Sequence, residues 1–385
     1  MKIVTKSIEL AGRTLTLEVG RFAEQATSSV LARYGDTEVL ATVVTSREET
    51  KLDYFPLSVE YQERLYAGGR IKGSRWVKRE GRPTDAEVLS GRLIDRSIRP
   101  LFPKAYKHDV QVTIMVLSVD MENDPGVLGV IATSAALAIS PIPWNGPVSA
   151  VRVGIKDGEL IVNPQNGERS EEKLDLVVTS TEELIPMIDA GAKEVEEEMI
   201  VKWLELGWKQ NKEVINLINQ LVKEVGQEKK VVELEKYDPE LVRQVEKAAK
   251  DKMEDFVELY VKQAEGGEHA EMKAAIAEGF AEEQRKRVEG ILDEMLNKAV
   301  RKNLLEKKKR PDGRMLEEIR QITAEVGVVP RVHGSAMFKR GQTQALTVTT
   351  LGSPSLSQSL ESAEGEDTKR YMHHYNFPPF STGET

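Results

Sequence analysis

Apolar residues at every second position mark the start of the chain. Ile8 and Leu10, then Leu15, Leu17 and Val19, alternate with polar residues on either side of Ala11-Gly12, which predicts a β-hairpin. Phe22, Ala26 and Val30 recur at helical spacing and predict a short helix over 22–34. Strands follow in GDTEVLATVVTS (35–46), FPLSVEY (55–61) and HDVQVTIMVLSVD (108–120). GVLGVIATSAALAIS (126–140) reads as a buried helix of small side chains, ended by Pro141 and Pro143. PVSAVRVGIKDGELIVNP (147–164) carries Asp157-Gly158 where a hairpin turn belongs, and KLDLVVTST (173–181) is a further strand. Strands and helices mix without a regular βαβ rhythm, so the predicted fold class is α+β.

From about 195 to 308 the period becomes helical throughout. Val214, Leu217, Ile218, Leu221, Val222 and Val225 follow the spacing of one helix face, with Gly226 as the stop. Asp238-Pro239 opens another helix, with Leu241, Val245, Ala249, Phe256 and Tyr260 near one face. Charges of both signs fill the remaining positions, as on solvated helical surfaces. Beyond 310 an earlier pattern returns. Gly313-Arg314-Met315-Leu316 repeats Gly12-Arg13-Thr14-Leu15, and Gly341-Gln342-Thr343 repeats Gly35-Asp36-Thr37 before a strand. The nearly equal separations predict a duplicated domain. The second copy is still incomplete at Gly383-Glu384-Thr385, so the chain is expected to end inside a domain.

Composition narrows this only a little. At 385 residues the length prior is two to three domains, each large enough for its own core. With no cysteine there is neither a disulfide nor a thiolate metal site, and a reducing compartment is the default. MKIVTKSIELAGRTLTLEV lacks the apolar core of a signal peptide, and the apolar run at 126–140 is too short to span a bilayer. These features predict a soluble cytoplasmic protein. A net charge of −9 opposes indiscriminate binding to nucleic acid, but screening over about 10 Å leaves room for a local basic channel.

Such a concentration occurs at 69–104, GRIKGSRWVKREGRPTDAEVLSGRLIDRSIRPLFPK, where ten basic residues face four acids. Thr84-Asp85-Ala86-Glu87 is a capping box that predicts a helix start. Arg92, Arg96 and Arg99 then share one helical face, and Leu89 and Leu93 mark an adjacent apolar one. Upstream, the glycine-rich stretch 68–74 predicts a loop presenting Arg75, Trp76, Lys78 and Arg79. A ring beside cations suits single-stranded nucleic acid, with bases stacking on the ring and cations following the phosphates. Plainer roles stay open, since Asp95 is placed to pair with Arg92 or Arg99, and Trp76 could be half-buried core. His108, His269, His333, His373 and His374 have no metal-ligand spacing, and there is neither a Walker-type loop nor a nucleophile elbow.

YQERLYAGGRIKGS, KREGRPTDAEVLSGRLIDRSIRPLFP, ALAISPIPWNGPVSAVRVG, RPDGR (310–314), PRVHGSAMFKRGQTQAL and HHYNFPPFSTGET, taken together, resemble the bacterial polynucleotide phosphorylase family over essentially the whole chain. The resemblance implies a first RNase PH-like core in two parts (1–145 and 146–230), made of mixed sheets with packed helices. It implies an all-α linker domain (231–310) and an incomplete second RNase PH-like core (311–385). It implies 3′-to-5′ phosphorolysis of single-stranded RNA to nucleoside diphosphates, reversible, in mRNA turnover. Inorganic phosphate is the co-substrate and Mg²⁺ the required cation. The implied assembly is a homotrimeric ring with RNA-degradation complex proteins as partners, without membrane association or DNA-specific binding.

The family's RNA-gripping Phe-Phe-Arg-Arg loop corresponds to Trp76, Val77, Lys78 and Arg79, with Arg75 inserted before it and one aromatic replaced by valine. The candidate RNA-binding residues are therefore Trp76, Lys78, Arg79, Arg82, Arg92, Arg96 and Arg99. The family's phosphate loop, paired arginines and metal-binding aspartates belong to later parts of the second core, so no catalytic residue and no metal ligand is carried onto this chain. The matching stretch of the first core, Asn123-Asp124-Pro125-Gly126, has no serine-rich phosphate nest. The fragment is expected to be inactive alone. A non-catalytic RNA-binding or scaffold protein, and a stand-alone RNase PH-like exonuclease, are the competing readings.

Overall fold

The opening alternation folds as read. Strands β1 (Val4–Leu10) and β2 (Arg13–Val19) pair antiparallel around Ala11 and Gly12, both at positive φ as a two-residue turn requires. Leu10, Leu15 and Leu17 point inward and are fully buried. The helix expected over 22–34 is absent. Ser28–Tyr34 is instead strand β3, paired with β2 on one side and with β4 (Thr37–Glu49) on the other. Its buried positions, Ser28, Val30, Ala32 and Tyr34, recur with a period of two, and Phe22 is exposed. Backbone pairing along both edges outweighs a coincidence of three spacings.

The computed structural model describes residues 2–385 except 51, 53, 72–81, 157–158, 169–173, 233–236, 256, 258–267, 309 and 384. They form two units, Met1–Glu233 with Ser355–Thr385, and Leu234–Pro354. In the first, β5 (Leu57–Glu63) and β6 (His108–Ser118) complete a six-stranded sheet of order β1-β2-β3-β4-β6-β5, in which only β5 and β6 are parallel. A second sheet, order β10-β9-β7-β8, is antiparallel and holds β7 (Ser149–Lys156), β8 (Glu159–Val162), β9 (Leu174–Ser180) and β10 (Met187–Ala192). The Asp157-Gly158 turn expected between β7 and β8 lies outside the described residues.

Helix α2 (Pro125–Ile139) lies between the sheets, against β3 and β4 on one side and β7 on the other, with all 15 residues buried. That position explains its small apolar side chains, because a helix touching protein all round has no polar face. The long helix α3 (Glu197–Val225) packs on β1, β7 and β9 and starts well before the pattern that marked its second half. Lys229, just after it, donates to the carbonyls of Leu137 and Ser140 at 2.6 and 2.8 Å, placing a cation at the C-terminal end of α2.

The second unit begins with α4 (Pro239–Ala249), capped by Asp238 as expected, and continues with helices Glu268–Glu278 and Arg285–Glu306. Leu241, Val245, Ala249, Ile276, Val288, Ile291 and Leu292 make its core, whereas Phe256 and Tyr260 lie outside the residues described with side chains. Strands β11 (Ile322–Val326), β12 (Gly334–Arg340) and β13 (Thr343–Thr349) form a separate antiparallel sheet. Phe338, Leu346 and Val348 on it are exposed. The repeat is visible in the backbone. Tyr34 pairs with Thr37 across Gly35, Arg340 pairs with Thr343 across Gly341, and both glycines have φ +61°. A side chain at that φ is strained, which accounts for glycine at both turns. Among the described residues no helix is long and apolar enough to cross a membrane.

Candidate nucleic-acid interface

The capping box reads correctly. Helix α1 (Asp85–Ile98) begins with the Glu87 amide donating to Thr84 Oγ1 at 3.2 Å and the Thr84 amide donating to Glu87 Oε2 at 2.6 Å. The other oxygen of Glu87 accepts the backbone N–H of Glu63 at 2.7 Å, so one carboxylate ties the start of α1 to the end of β5. The buried side of α1 is Gly91, Ile94, Ser97 and Ile98. Leu93 leans on the core from the edge, and Leu89 is exposed, so the apolar face predicted through Leu89 is displaced by about one position.

Opposite that side lie the arginines, and they differ. Arg99 is held by Asp95 through two hydrogen bonds of 2.5 and 2.6 Å and also donates to the Leu57 carbonyl at 3.1 Å. The Asp95 hydrogen bonds push its pKa up, and its guanidinium ties α1 to β5. Arg96 lies 4.0 Å from Asp189, with both side chains more than half exposed, a pair too solvated to occupy it. Arg92 and Arg82 are exposed and have no ion-pair partner among the described residues. The candidates Trp76, Lys78 and Arg79 lie outside the described residues. Arg82 and α1 follow that segment, and exposed Arg70 precedes it.

The N-terminus of α2 has the opposite character. An unfilled helix N-terminus would attract a phosphate, but here Asp124 supplies the anion, accepting from the amides of Gly126 at 2.7 Å and Val127 at 3.3 Å. Its second oxygen accepts from Arg152 at 2.7 and 3.0 Å, and Arg152 also bonds Asp175. Burial works against the charge on Arg152, but the two carboxylates outweigh it and raise its pKa. Alongside, Arg13 donates to Asn123 Oδ1 at 2.6 Å and stacks over Tyr34 at 4.7 Å. Asp120 is opposed by burial yet held down at a pKa of about 2, because it accepts from the amides of Asp36, Glu122 and Asn123 and the side-chain amide of Asn123. The cavity left among Leu10, Tyr34, Asn123, Asp124, Arg152 and Asn163 is about 10 Å³. That is room for one water at most, not for phosphate. The missing serines are plain in the sequence, whereas the arginines and acids that fill the place are not; only Asp124 before Pro125 was a visible signal.

Two domains of the 3′ exoribonuclease family match the chain, domain 1 at residues 11–143 and again at 318–385, and domain 2 at 146–210. The chain belongs to the 3′ exoribonuclease family. The repeated domain 1 match coincides with the two copies read from the turns. The RNA binding domain of polyribonucleotide nucleotidyltransferase matches residues 240–315, which takes in the helical region. Polyribonucleotide nucleotidyltransferase of Chloroflexus aggregans is 48% identical over 392 residues, covering 100% of this chain and 52% of its own length. That of Heliobacterium modesticaldum is 46% identical, covering 98% of this chain and 54% of its own. The chain thus spans about half the length of the curated relatives it matches. Rice (Oryza sativa) Rrp46 superposes with a TM-score of 0.46 and 17% identity over 56% of this chain and 96% of its own, which adds nothing to the family assignment.

Proposed function

We propose that this chain is the RNA-gripping and assembly part of a phosphorolytic 3′-to-5′ exoribonuclease, a polyribonucleotide nucleotidyltransferase, and does not perform the chemistry itself. The observation that carries this reading is the contrast between two neighbouring surfaces of one core. The α1 side presents Arg82, Arg92 and Arg96 unengaged or weakly paired next to the Trp76-Lys78-Arg79 segment. The α2 N-terminus, where a phosphate would be cradled, is closed by Asp124 and Arg152. Exposed guanidiniums on a rigid helix contribute phosphate contacts, while a ring on the adjoining segment stacks a base. Arg99 enters the reading as the residue that fixes α1 to β5.

The substrate of the complete enzyme is single-stranded RNA together with inorganic phosphate, the protein works as a homotrimer in the cytoplasm, and RNA-degradation complex proteins are its partners. The Mg²⁺ that the family implies finds no fitting ligand set among the described residues, where no group of three His, Asp or Glu side chains is disposed to hold a metal ion. No step is therefore derived through it on this chain.

The test is a pair of measurements on the 385-residue chain. Oligoadenylate should bind with an affinity that falls with salt, at a slope of about −0.7 per phosphate contacted. Phosphate and Mg²⁺ together should release no ADP from it. Release of ADP by folded protein would place an active site within these residues and favour the stand-alone exonuclease.

A further inference from the structure

The hairpin of β14 (Gln358–Glu361) and β15 (Glu366–Lys369) lies in the first unit and is seated there by its tip. Its turn, Ser362-Ala363-Glu364-Gly365, is closed by the Ser362 amide donating to the Gly365 carbonyl at 2.8 Å. Ala363, at the apex, is 0% exposed and belongs to the core of the first unit, although the strands behind it are almost entirely exposed. The apex rests on Gly68, where a Cβ would stand 1.8 Å from the Ala363 carbonyl oxygen. At the far end of β15, Lys369 lies 3.9 Å from an almost fully exposed Asp85, a pair too solvated to hold the hairpin down. Docking therefore depends on the tip.

Seating the apex brings the Glu364 carboxylate to a wall that already carries acids. Glu63, at the end of β5, is half-buried, and its carboxyl has neither an ion pair nor a hydrogen bond among the described residues. The charges that bear on it are Glu364 from the hairpin, Glu87 from α1 and Asp124 from the start of α2. All three are engaged. Glu87 accepts the backbone amides of Glu63 and Thr84 at 2.7 and 2.6 Å. Asp124 accepts two helix amides and pairs with Arg152. Glu364 accepts from the side-chain amide of Asn166 at 3.1 Å, a neutral donor that brings no counter-charge. Nearby cations have other places: Arg152 is shared between Asp124 and Asp175, Arg64 bonds Gln62, and Arg70 lies against Gly365. Glu63 is thus the carboxyl that takes up a proton when like charges crowd together. Burial, then Glu364, Glu87 and Asp124, raise its pKa to about 7.

We propose that the seat of the β14–β15 hairpin is a proton-operated latch, in which Glu63 carries a proton while Glu364 is docked beside it and frees the tip when it gives that proton up to solvent. Glu87 and Asp124 stay with the core, whereas Glu364 travels with the hairpin. Undocking removes one of the like charges and opens Glu63 to water, so the undocked chain binds the proton more weakly than the docked one. By linkage, docking takes up a proton: the hairpin is held fully below the undocked pKa of Glu63, and its hold weakens as pH rises through about 7. The latch controls how the start of the second copy is fastened to the first core. It goes beyond the RNA-gripping reading and does not rest on it.

The chain has no cysteine, so Ala363→Cys and Ser359→Cys each supply a single thiol, the first at the seated apex and the second on exposed β14. Dividing the maleimide labelling rate at 363 by that at 359, at the same pH, cancels the pH dependence of thiol reactivity itself. The ratio should be at most about a tenth at pH 6. Between pH 6 and pH 8 it should rise about five-fold or more. Glu63→Gln, added to both thiol chains, should keep the ratio low and flat across that range. Glu364→Gln, which takes the repulsion from the hairpin side, should shrink the rise. Hydrogen exchange of the 358–369 peptide in the unsubstituted chain serves if Ala363→Cys does not fold, with protection falling by a similar factor as pH rises. A ratio or a protection factor that stays constant from pH 6 to pH 8 overturns the latch, and so does a rise that survives either glutamine substitution undiminished. A ratio near one at pH 6 removes the docked tip, and the latch with it. No RNA enters these measurements, so the RNA-gripping reading survives every one of these failures.

Discussion

Arg152 and Asp124 meet at 2.7 Å, with each side chain only 16% exposed, where α2 begins. The pair joins β7 to the helix between the two sheets and fills the place where an anion could have bound. Arg152→Ala leaves Asp124 without its main counter-charge, at a cost of about 3 kcal/mol. Urea denaturation at neutral pH should show that loss, and a variant as stable as the parent would mean that the pair is dispensable. Because the cavity beside it holds at most one water, no variant of Arg152 alone should gain phosphate binding, which equilibrium dialysis would detect.

Glu63 stands at the end of β5 with an environment that resists its charge. Burial first, then Glu364 on the hairpin, Glu87 on α1 and Asp124 at the α2 cap, raise its pKa from 4.5 to about 7. Between those values the folded chain holds a proton that the unfolded chain has released. Stability therefore falls as pH rises across that window, and the full penalty stands above about pH 7. Glu63→Gln should be more stable than the parent at pH 8 by on the order of 2 kcal/mol, with the difference shrinking towards pH 4.5. Thermal melts of both proteins across that range check the sign; a difference that grew on acidification would refute it.

The two copies of the Gly-x-Thr turn should respond unequally to alanine. At Gly35 a Cβ meets Asn123 Nδ2 at 2.5 Å and Asp120 Oδ2 at 2.6 Å, which would break up the hydrogen bonds that hold Asp120 ionised. At Gly341 the nearest atom is Arg320 Cδ at 3.0 Å, on a side chain that can move. Both substitutions carry the left-handed backbone cost of roughly 1 kcal/mol, and Gly35→Ala should add about 2 kcal/mol from the disturbed network. Hydrogen exchange of the β3–β4 and β12–β13 peptides reads the two turns separately. Equal loss of protection would contradict this.

Arginines on α1 should separate into two kinds. Arg92→Ala should leave the melting temperature unchanged, weaken oligoadenylate binding and reduce the salt slope by about 0.7. Arg99→Ala should cost about 1 kcal/mol of stability, since its bonds to Asp95 and Leu57 are partly screened by solvent, with a smaller effect on the salt slope. Binding titrations at several salt concentrations, beside melts, distinguish them.

Much of this protein is determined by short-range pattern. Alternation set β1, β2 and β5; the Thr84–Glu87 box set the start of α1; uniform small apolar residues set α2; and paired glycine turns disclosed the repeat. Each is a local rule of backbone geometry, with its information within a few residues. Only the tertiary structure decided that 28–34 is a strand, because its two pairing partners, β2 and β4, outweigh its own weak period. It also decided which of three equivalent-looking arginines is engaged, since the Leu57 carbonyl reaching Arg99 comes from a strand 42 positions away in sequence. The closing of the α2 N-terminus required Arg13, Asp120, Arg152 and Asp175 to converge from separate strands and loops, and the seat at Gly68 required a hairpin almost three hundred residues downstream. Charge and shape complementarity between distant segments has no period along the chain, so only folding brings it into view.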